Sequence, residues 1–443
     1  MNHHLKRGLA AALLLAACAV QAQDLQRLGK DLTPVGAEKA GNADGSIPAW
    51  SGGLTQPPAG FDRSKGYADP YAGEKPLYVV TAANAAQYAA LLSPGQLEML
   101  KRYPDSYKLR VFPTHRSAAH PDWYPEVVKR DAAKARLAEN GGVQNVAGAP
   151  TVPFPIPTLG VQVIENHKLR YRVDSVQMNV SVGAVQANGA FTPIRWNYEL
   201  DFAGRMPDAE PNRIFYFKQQ TLSPSNAAGE STLMWETIDT TQEPRSVWTY
   251  NPGQRRVLRA PDVGYDSPYF NVDGLATIDD SDMFAGATDR YEWKLVGKKE
   301  MLISYNNYAL ASKQLKYADV IKAGHINQDL TRYEKHRVWV VEATLKPGAR
   351  HIYGKRVFYV DEDTWQVAHV DQYDMRGGLW RVHEGHAIHY YDLPGTWYAL
   401  DTQYDLQARR YFFSYLGNED KVATFNKPKS RANYSPDSLR RVN

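Results

Sequence analysis

The clearest pattern of apolar and polar residues lies between residues 356 and 391. It predicts three consecutive antiparallel strands, Arg356–Val360, Thr364–Asp374 and Leu379–Tyr391, because Val, Ile, Tyr, Phe and Trp fill the runs. Polar turns separate the strands at Asp361–Asp363 and Arg376–Gly378. The second and third strands approach or exceed about ten residues, whereas the usual strand has about five or six. Such long strands indicate a wide, curved sheet whose concave face is filled by helices or by a ligand.

Strand-like segments continue this pattern through most of the chain, from about residue 160 to residue 413. The earlier ones are Gln162–Val173, Ser175–Val185, Arg195–Phe202, Arg213–Gln220, Thr232–Ile238, Ser246–Tyr250 and Arg256–Arg259. Two segments with helix signals interrupt them, Asp279–Ala285 and Ser312–Lys322. The predicted fold class is therefore mainly β: a large curved antiparallel sheet, or incomplete β-barrel, with a few helices on its concave face or as a lid.

The N-terminal part of the chain has a different character. Residues 28–60 are rich in Gly and Pro, and helices are predicted at Thr81–Leu92, Pro94–Tyr103 and Asp122–Asn140. A connector, Gly141–Thr158, leads into the strands. The predicted organisation is a signal peptide at 1–22, an arm with helices at 23–158, a curved β domain at 159–417 and a polar tail at 418–443.

Residues 1–22 have the pattern of a targeting segment. Lys6 and Arg7 precede the apolar run Leu9–Ala17, and Val20-Gln21-Ala22 offers small residues for cleavage after Ala22. This predicts a periplasmic protein. An alternative stays open, because Leu15-Ala16-Ala17-Cys18 resembles a bacterial lipobox, and Cys18 is the chain's one cysteine. Lipidation of Cys18 would make the protein an outer-membrane lipoprotein.

Composition narrows the function classes. Of the 443 residues, 43% are hydrophobic and 12% are aromatic, which is ample for a large β core. A formal net charge of +4 is too small for a chain of this size to predict a nucleic-acid partner. After the leader, no apolar run of about 18 residues predicts a membrane-spanning helix.

Motifs for catalysis and cofactors are weak. On a strand, His383 and His386 point to opposite faces, while His383 and His389 share a face but lie roughly 20 Å apart, so these histidines alone predict no metal site. The acidic groups at Asp279–Asp282 and Asp361–Asp363 fall where turns and helix starts favour carboxylates. The chain has neither a Gly-x-Ser-x-Gly elbow nor a nucleotide-binding loop, and we predict no catalytic residue and no cofactor.

Aromatic and basic residues on sheet faces are the remaining candidates for a site. Large aromatic side chains cluster on predicted strands, beside arginines that follow the turn at Asn251–Gln254. One interpretation is that they form core and cross-strand pairs. The other is that several line an apolar cavity, with an arginine at its rim for an anionic head group. The candidate ligand-binding residues are Trp248, Tyr250, Arg256, Trp365, Tyr373 and Trp380.

Four long motifs give the chain a family resemblance. These are Leu28–Trp50, Pro153–Gly160, Asn166–Arg172 and Asp361–Asp392, and together they resemble the bacterial domain-of-unknown-function family 1329 (DUF1329). Glu165-Asn166-His167 stands where that family usually has Trp-Asn-His. The resemblance implies an envelope protein with a fold like that of the lipoprotein carriers LolA and LolB. It also implies that the protein acts together with a transporter of the resistance-nodulation-division type. It identifies no catalytic residues.

These observations favour a binding or carrier protein over an enzyme. The preferred hypothesis is a periplasmic or outer-membrane-associated protein whose apolar hollow holds an acyl chain or another lipophilic molecule. Its lid would be the helix at Ser312–Lys322 or at Asp122–Asn140. The alternatives are an accessory subunit, docking on a transporter or outer-membrane protein through a sheet edge or the N-terminal arm, and an undetected hydrolase.

Overall fold

Two antiparallel meanders, joined edge to edge, form the principal sheet. A computed structural model describes residues 24–139, 141–260, 264–269 and 272–440. The predicted leader and Cys18 lie outside these residues. Sixteen of the strands in the described residues belong to this sheet, and its path does not close on itself. The mainly β, open antiparallel fold predicted from the sequence is confirmed.

The strands have the following bounds. Before the first meander they are β1 (Tyr78–Val80), β2 (Leu109–Val111), β3 (Arg136–Leu137) and β4 (Val143–Gln144). The first meander contains β5 (Ser175–Val185), β6 (Ile194–Phe202), β7 (Arg213–Ser223), β8 (Ser231–Thr237), β9 (Ser246–Asn251) and β10 (Arg256–Arg259). The second contains β11 (Tyr291–Ser304), β12 (Tyr333–Leu345), β13 (Lys355–Asp361), β14 (Val367–Tyr373), β15 (Leu379–Tyr390), β16 (Gly395–Asp405) and β17 (Arg410–Leu416), followed by β18 (Thr424–Phe425).

The helices are short. The α-helices are α1 (Pro94–Arg102), α2 (Tyr124–Ala132), α3 (Gly160–Leu169) and α4 (Tyr317–Val320). Turns of 3₁₀ helix lie at Arg63–Lys65, Ala85–Leu91, Ala203–Arg205, Ile278–Met283, Gln328–Leu330, Arg431–Tyr434 and Pro436–Arg440. Within the described residues, none of the helices has both the length and the apolar character that crossing a membrane requires.

The last strand of the second meander pairs with the first strand of the first. β17 lies antiparallel to β5, with Phe412 opposite Ala184, so the chain returns to where its sheet began. At the other end, β12 pairs with both β11 and β13 and meets β2 in one parallel bridge. Phe217 of β7 and Val341 of β12 nevertheless share one apolar core. The sheet must curve for strands so far apart in its path to meet on the concave face.

Helix α3 and residues 278–286, here called the cover segment, occupy that concave face. Val163 and Ile164 of α3 and Phe284 of the cover segment are buried in the same core. Gly160 allows α3 to approach β11 closely, because a Cβ there would lie 2.9 Å from the backbone of Lys294. The protein's own helix and loop therefore fill most of the space enclosed by the sheet.

The opposite, convex face is covered by other segments. Helix α1 begins with a capping box, in which Ser93 accepts from the backbone of Gln96 and Gln96 accepts from that of Ser93. Leu100 of α1 packs in a second core with Val382 of β15 and Leu400 of β16. Further along, the C-terminal 3₁₀ turns cover β7–β10, and the carbonyl oxygen of Tyr434 accepts from the Trp235 indole at 2.9 Å.

Several predicted elements differ in the structure. The strand predicted at Gln162–Val173 is wrong: residues 160–169 form α3. The Gln162 side chain caps the start of the helix by accepting from the backbone N–H groups of Thr158 and Leu159. The Asn166 side chain bonds both the N–H and the carbonyl group of Phe154. These contacts depend on the connector before the helix and override the apparent alternation.

Three predicted helices are shorter than expected, and the one predicted at Thr81–Leu92 is a 3₁₀ turn over Ala85–Leu91. The helix expected at Asp122–Asn140 extends only over Tyr124–Ala132, after which the chain forms the hairpin of β3 and β4. Residue 140 lies outside the described residues. In the segment Ser312–Lys322, only Tyr317–Val320 is α-helical. Neither segment lines the concave pocket described below, although Lys313 lines a second, smaller cavity.

Candidate functional site

A cavity of about 110 Å³ remains between the concave face of the first meander and the cover segment. Its walls are mostly apolar and aromatic. The sheet contributes Tyr198, Leu200, Ile214, Phe215, Phe217, Met234 and Val247, and the opposite wall contains Tyr269, Ile278, Phe284, Ala285 and Gly286. We call this space the concave pocket.

Strand register explains the apolar wall. Leu200 lies opposite Phe217, Phe217 lies opposite Met234, and Met234 lies opposite Val247. One row of side chains therefore crosses four neighbouring strands on the same face. A second row, Tyr198, Gln219 and Thr232, lies beside the first. The wall follows from alternation within each strand combined with the register between strands.

An ion cluster forms one end of the concave pocket. Asp282 of the cover segment accepts from Arg170 at 2.8 Å and pairs with Arg172 at 2.9 Å. Burial disfavours the charged carboxylate, but the two guanidinium groups outweigh this and hold the pKa of Asp282 at about 2. Burial lowers the pKa of nearby His167 to about 3, so that ring is neutral at pH 7. Two cations thus face one anion.

The other charged groups at the pocket are paired one to one. Lys168 donates to both carboxylate oxygens of Glu165 at 2.9 Å, and Arg245 pairs with Glu236. The pairing leaves the cluster of Arg170, Arg172 and Asp282 with one positive charge in excess. Of its two guanidinium groups, that of Arg172 lines the pocket. Chemically, the pocket suits a molecule with an apolar body and an anionic end.

Tyr415 separates the concave pocket from a second cavity of about 90 Å³, because its side chain lines both. Met178, Tyr390 and Phe425 also line the second cavity. The backbone of Tyr415 has a φ of +64°, an uncommon conformation for a residue with a side chain.

The structure places three of the six sequence-predicted ligand-binding residues around β9 and β10, away from the pocket. Trp248 and Tyr250 project to the convex face, where they pack near Leu439 of the C-terminal turns. Arg256 is exposed on β10. The neighbouring residue Val247, on the other face of β9, lines the pocket instead.

The other three lie in the second meander. Trp365 is fully buried, and its indole donates to the carbonyl oxygen of Val35 at 2.8 Å. Tyr373 is half-buried, with the Lys355 ammonium 4.3 Å from its ring centroid. The Trp380 indole donates to Asp405 at 3.0 Å. The structure brings none of the six into the concave pocket, and ligand binding by them stays a prediction.

The pocket residues were not selected by sequence reasoning, although a signal for some of them exists. The strands at 195–202, 213–220 and 232–238 were predicted, and their alternation marks Leu200, Phe217 and Met234 as members of one face of each strand. Lys168 and Arg172 fell in the segment assigned to a strand. The cover segment carries no apolar pattern that indicates where it docks.

One group of side chains has the residue types of a hydrolytic triad. Ser93 Oγ lies 2.8 Å from His369 Nε2 and 3.1 Å from Asp371 Oδ1. Asp371 contacts the same ring nitrogen at 2.9 Å, whereas a triad carboxylate holds the opposite nitrogen. Ser93 is also fully buried and caps α1. This geometry is that of a structural network.

The histidines of the 383–389 segment are all buried, and they lie in separate environments. His386 Nδ1 contacts Ser304 Oγ at 2.7 Å, while His389 Nε2 contacts the carbonyl oxygen of Leu54 at 2.8 Å. His383 lies on the concave side, 3.8 Å from Asp401. No two of the three belong to a group of described side chains that is close enough to share an ion.

Comparison with known proteins gives a family and a relative. The model of a family described as "Protein of unknown function (DUF1329)" matches residues 79–440. An uncharacterized protein of Pseudomonas aeruginosa is 51% identical over 445 residues, which cover 98% of this chain and 97% of that protein.

Solved structures give weaker likenesses. A putative outer membrane lipoprotein-sorting protein domain from Vibrio parahaemolyticus is 13% identical, with a TM-score of 0.44 over 64% of this chain and 98% of that chain. A DUF1329 family protein from Desulfovibrio piger is 12% identical, with a TM-score of 0.41 over 60% and 92% of the two chains. A LolA superfamily protein from Nitrosomonas europaea is 12% identical, with a TM-score of 0.38 over 64% and 100%. Likenesses this distant imply nothing about ligand or partner.

Proposed function

The chain belongs to the DUF1329 family, and we propose that it is a non-catalytic binding protein of the bacterial envelope whose concave pocket holds a lipophilic molecule with an anionic end. The observation that carries the proposal is an apolar wall built across four strands, with an excess guanidinium charge at one end. The leader predicted at residues 1–22 supports the location, through cleavage after Ala22 or lipidation of Cys18.

The volume of the pocket sets the size of the bound group. Drug-sized ligands occupy pockets of roughly 300–1,000 Å³, and a cavity of about 150 Å³ takes up benzene. The concave pocket, at about 110 Å³, thus accommodates a compact apolar group or the end of a chain. A whole acyl chain fits only when Tyr415 rotates and adds the second cavity, or when the cover segment moves.

Burial supplies the affinity in this proposal. Each methylene group taken out of water contributes about 0.8 kcal/mol, so affinity should rise with chain length until the cavity is full. The anionic end adds orientation, because Arg172 lies at one end of the pocket.

Native mass spectrometry after gentle extraction, together with titration of a fluorescent fatty acid, tests the proposal. The variant Met234→Trp should abolish uptake because it fills the pocket, while Leu258→Trp adds the same side chain at an exposed position of β10. We expect a co-purified lipophilic molecule in the unmodified protein and in the Leu258→Trp control only. Protein that is always empty, or binding that Met234→Trp leaves intact, would refute the proposal.

The edge of the sheet favours a second candidate function, an accessory subunit docking on a transporter or outer-membrane protein. Among the described residues, β10 pairs only with β9, and Leu258 on it is 52% exposed between Arg256 and Arg259. An open strand edge can accept a strand from another protein. Photocrosslinking in cells from position 258, with exposed Lys101 on α1 as the control site, should give one stoichiometric partner if this function is correct.

A further inference from the structure

Three side chains outside the lining of the concave pocket converge where β12 meets the turn after β13. His336 lies on β12, Asp361 ends β13, and Asp363 lies in the turn to β14. Each offers one ligand atom, and these atoms all lie within 4.8 Å of one another. All three side chains are buried. Sequence reasoning assigned Asp361 and Asp363 to a turn and did not single out His336.

The acidic neighbours in this region are neutralised by cations, with one exception. Asp363 accepts from Arg116 at 2.9 and 2.6 Å, and Glu362 pairs with Arg337 at 2.8 Å. In contrast, no Lys, Arg or His nitrogen of the described residues lies within 4 Å of the Asp361 carboxylate, which is 1% exposed. A buried carboxylate without a counter-charge is costly, and either a bound cation or a proton offsets that cost.

Asp361 also has an unused oxygen. Its Oδ2 accepts from the backbone and hydroxyl of Thr364, at 3.1 and 2.6 Å. Its Oδ1 is buried and has no hydrogen-bond partner among the described residues. Thr364 thus fixes the orientation of the carboxylate and leaves one oxygen as a free ligand.

Tyr305 provides an independent observation at the same place. Its ring lies against His336, with centroids 4.1 Å apart, and its hydroxyl is buried without a hydrogen-bond partner in the described residues. The phenol oxygen is therefore a second buried polar atom without a hydrogen-bond partner, on a ring that contacts a member of this group.

We propose that His336, Asp361 and Asp363 bind a divalent transition-metal ion, with the Tyr305 hydroxyl as an additional oxygen ligand. An imidazole nitrogen with carboxylate oxygens suits Zn²⁺ or Mn²⁺ better than Ca²⁺, which prefers six to eight oxygens. Ligand atoms at about 2.1 Å from one ion lie roughly 3.4 Å apart in tetrahedral geometry. Ligand atoms that are up to 4.8 Å apart here therefore need to approach one another by up to about 1.4 Å.

Glu334 supports this assignment from outside the ligand group. It contacts His336 Nε2 at 3.1 Å, the arrangement in which a carboxylate orients a metal-binding histidine. Nδ1 is then the nitrogen left for the ion. A pocket of about 290 Å³, lined by Trp50, His120 and Asp363, reaches one of the three proposed ligands. The bound ion would fasten the β13–β14 turn to the N-terminal arm.

Metal analysis and calorimetric titration with ZnCl₂ and MnCl₂ test the proposal on EDTA-treated full-length mature protein. We expect about one ion per chain, and a dissociation constant raised at least about tenfold by Asp361→Asn and by His336→Gln. The control His115→Gln removes a half-buried histidine that pairs with Glu74 outside the group. It should bind the ion with unchanged affinity.

Thermal unfolding with and without Zn²⁺ separates a metal site from a structural polar network. The metal should raise the Tm of the unmodified protein and of His115→Gln, but not that of Asp361→Asn. Asp361→Asn should fold, because an amide oxygen still accepts from Thr364 and the uncompensated charge is gone. Absence of ion binding, or ion binding unchanged in both Asp361→Asn and His336→Gln, would overturn the inference.

Discussion

The two meanders present one continuous concave face to the same filling elements, and the concave pocket lies over the first. Over the second meander the cover segment is fastened by its charges: Arg356 donates to Asp279 at 2.8 Å, and Gln372 donates to Asp280 at 2.7 Å. Over the first meander it meets the apolar row of Leu200, Phe217 and Met234 instead. The concave pocket therefore lies where the cover segment faces the apolar row of the first meander.

Most of the groups that fix the cover segment belong to the second meander. The Asp280 carboxylate also accepts from Tyr353 at 2.9 Å and from Gln403 of β16 at 3.1 Å. Together with Gln372 of β14, these contacts bind it to two strands. The cover segment is therefore anchored to the polar half of the concave face, over the second meander. At the end of the concave pocket, its Asp282 is held by Arg170 and Arg172.

The largest expected effect comes from breaking the anchor. Arg356 is buried against Asp279, and with His351 it keeps the pKa of Asp279 well below its usual range despite the opposing effect of burial. Arg356→Met leaves that carboxylate without its main cation, and we expect the free energy of unfolding to fall by about 3–5 kcal/mol. Urea denaturation measures it.

Arg256→Met is the matched control for this variant. Arg256 is exposed on β10 and forms no ion pair with the described residues, so its replacement should change stability by less than about 0.5 kcal/mol. Equal effects of the two substitutions would show that the polar half of the concave face is not an anchor.

Measuring the free energy of unfolding at several pH values tests the role of Asp282. This residue joins the cover segment to the arginines that follow α3. The pKa of Asp282 is depressed from 3.8 to about 2, so its contribution to stability is present above pH 3.8 and is lost as the pH falls through 2. Between about pH 5 and pH 2 the protein should lose about 2 kcal/mol more than Asp282→Asn does. Parallel pH profiles of the two proteins would contradict this role.

The strands were largely predictable from the sequence, whereas the elements that fill the concave face, α3 and the cover segment, were not. The bounds of β5–β10 agree with the predicted segments to within about three residues, because alternation and β-branched residues act locally. Helix α3 was missed because its bonds to Phe154 and its close approach to β11 are tertiary. The alternation of apolar and polar residues over 162–173 indicated a strand instead.

The site was harder to predict than the fold for a related reason. Trp248 and Trp365 were selected by size and residue type, but large aromatic residues also serve the convex face and the closed core. Which face of β9 is concave depends on how the strands pair and on where the C-terminal turns dock. Single-sequence alternation defines two faces and does not say which one is enclosed.

The barrier between the two cavities gives the next prediction. Tyr415→Gly should join the concave pocket to the second cavity and relieve the positive φ, so longer chains gain more affinity than short ones. We expect the ratio of dissociation constants for an octanoate and a palmitate probe to change by about tenfold in favour of palmitate, or about 1.4 kcal/mol. Competition against a fluorescent fatty acid measures the ratio.

Tyr250→Gly is the control for this variant, since Tyr250 lies on the convex face of β9 and was itself a sequence-predicted ligand-binding residue. It should leave the ratio unchanged. A change equal to that of Tyr415→Gly would move the binding site to the face that the C-terminal turns cover.

The smallest expected effect concerns the charge at the end of the pocket. Arg172→Gln removes the excess guanidinium, while Arg170 still pairs with Asp282, so the cluster becomes neutral. Binding of a fatty acid should weaken by about 0.5–1 kcal/mol relative to the fatty alcohol of the same length, because the carboxylate loses its attraction and the apolar wall is unchanged. Titrations of both ligands with both proteins form a cycle that isolates this charge effect. Equal losses for acid and alcohol would mean that Arg172 supports the wall of the pocket and does not recognise a head group.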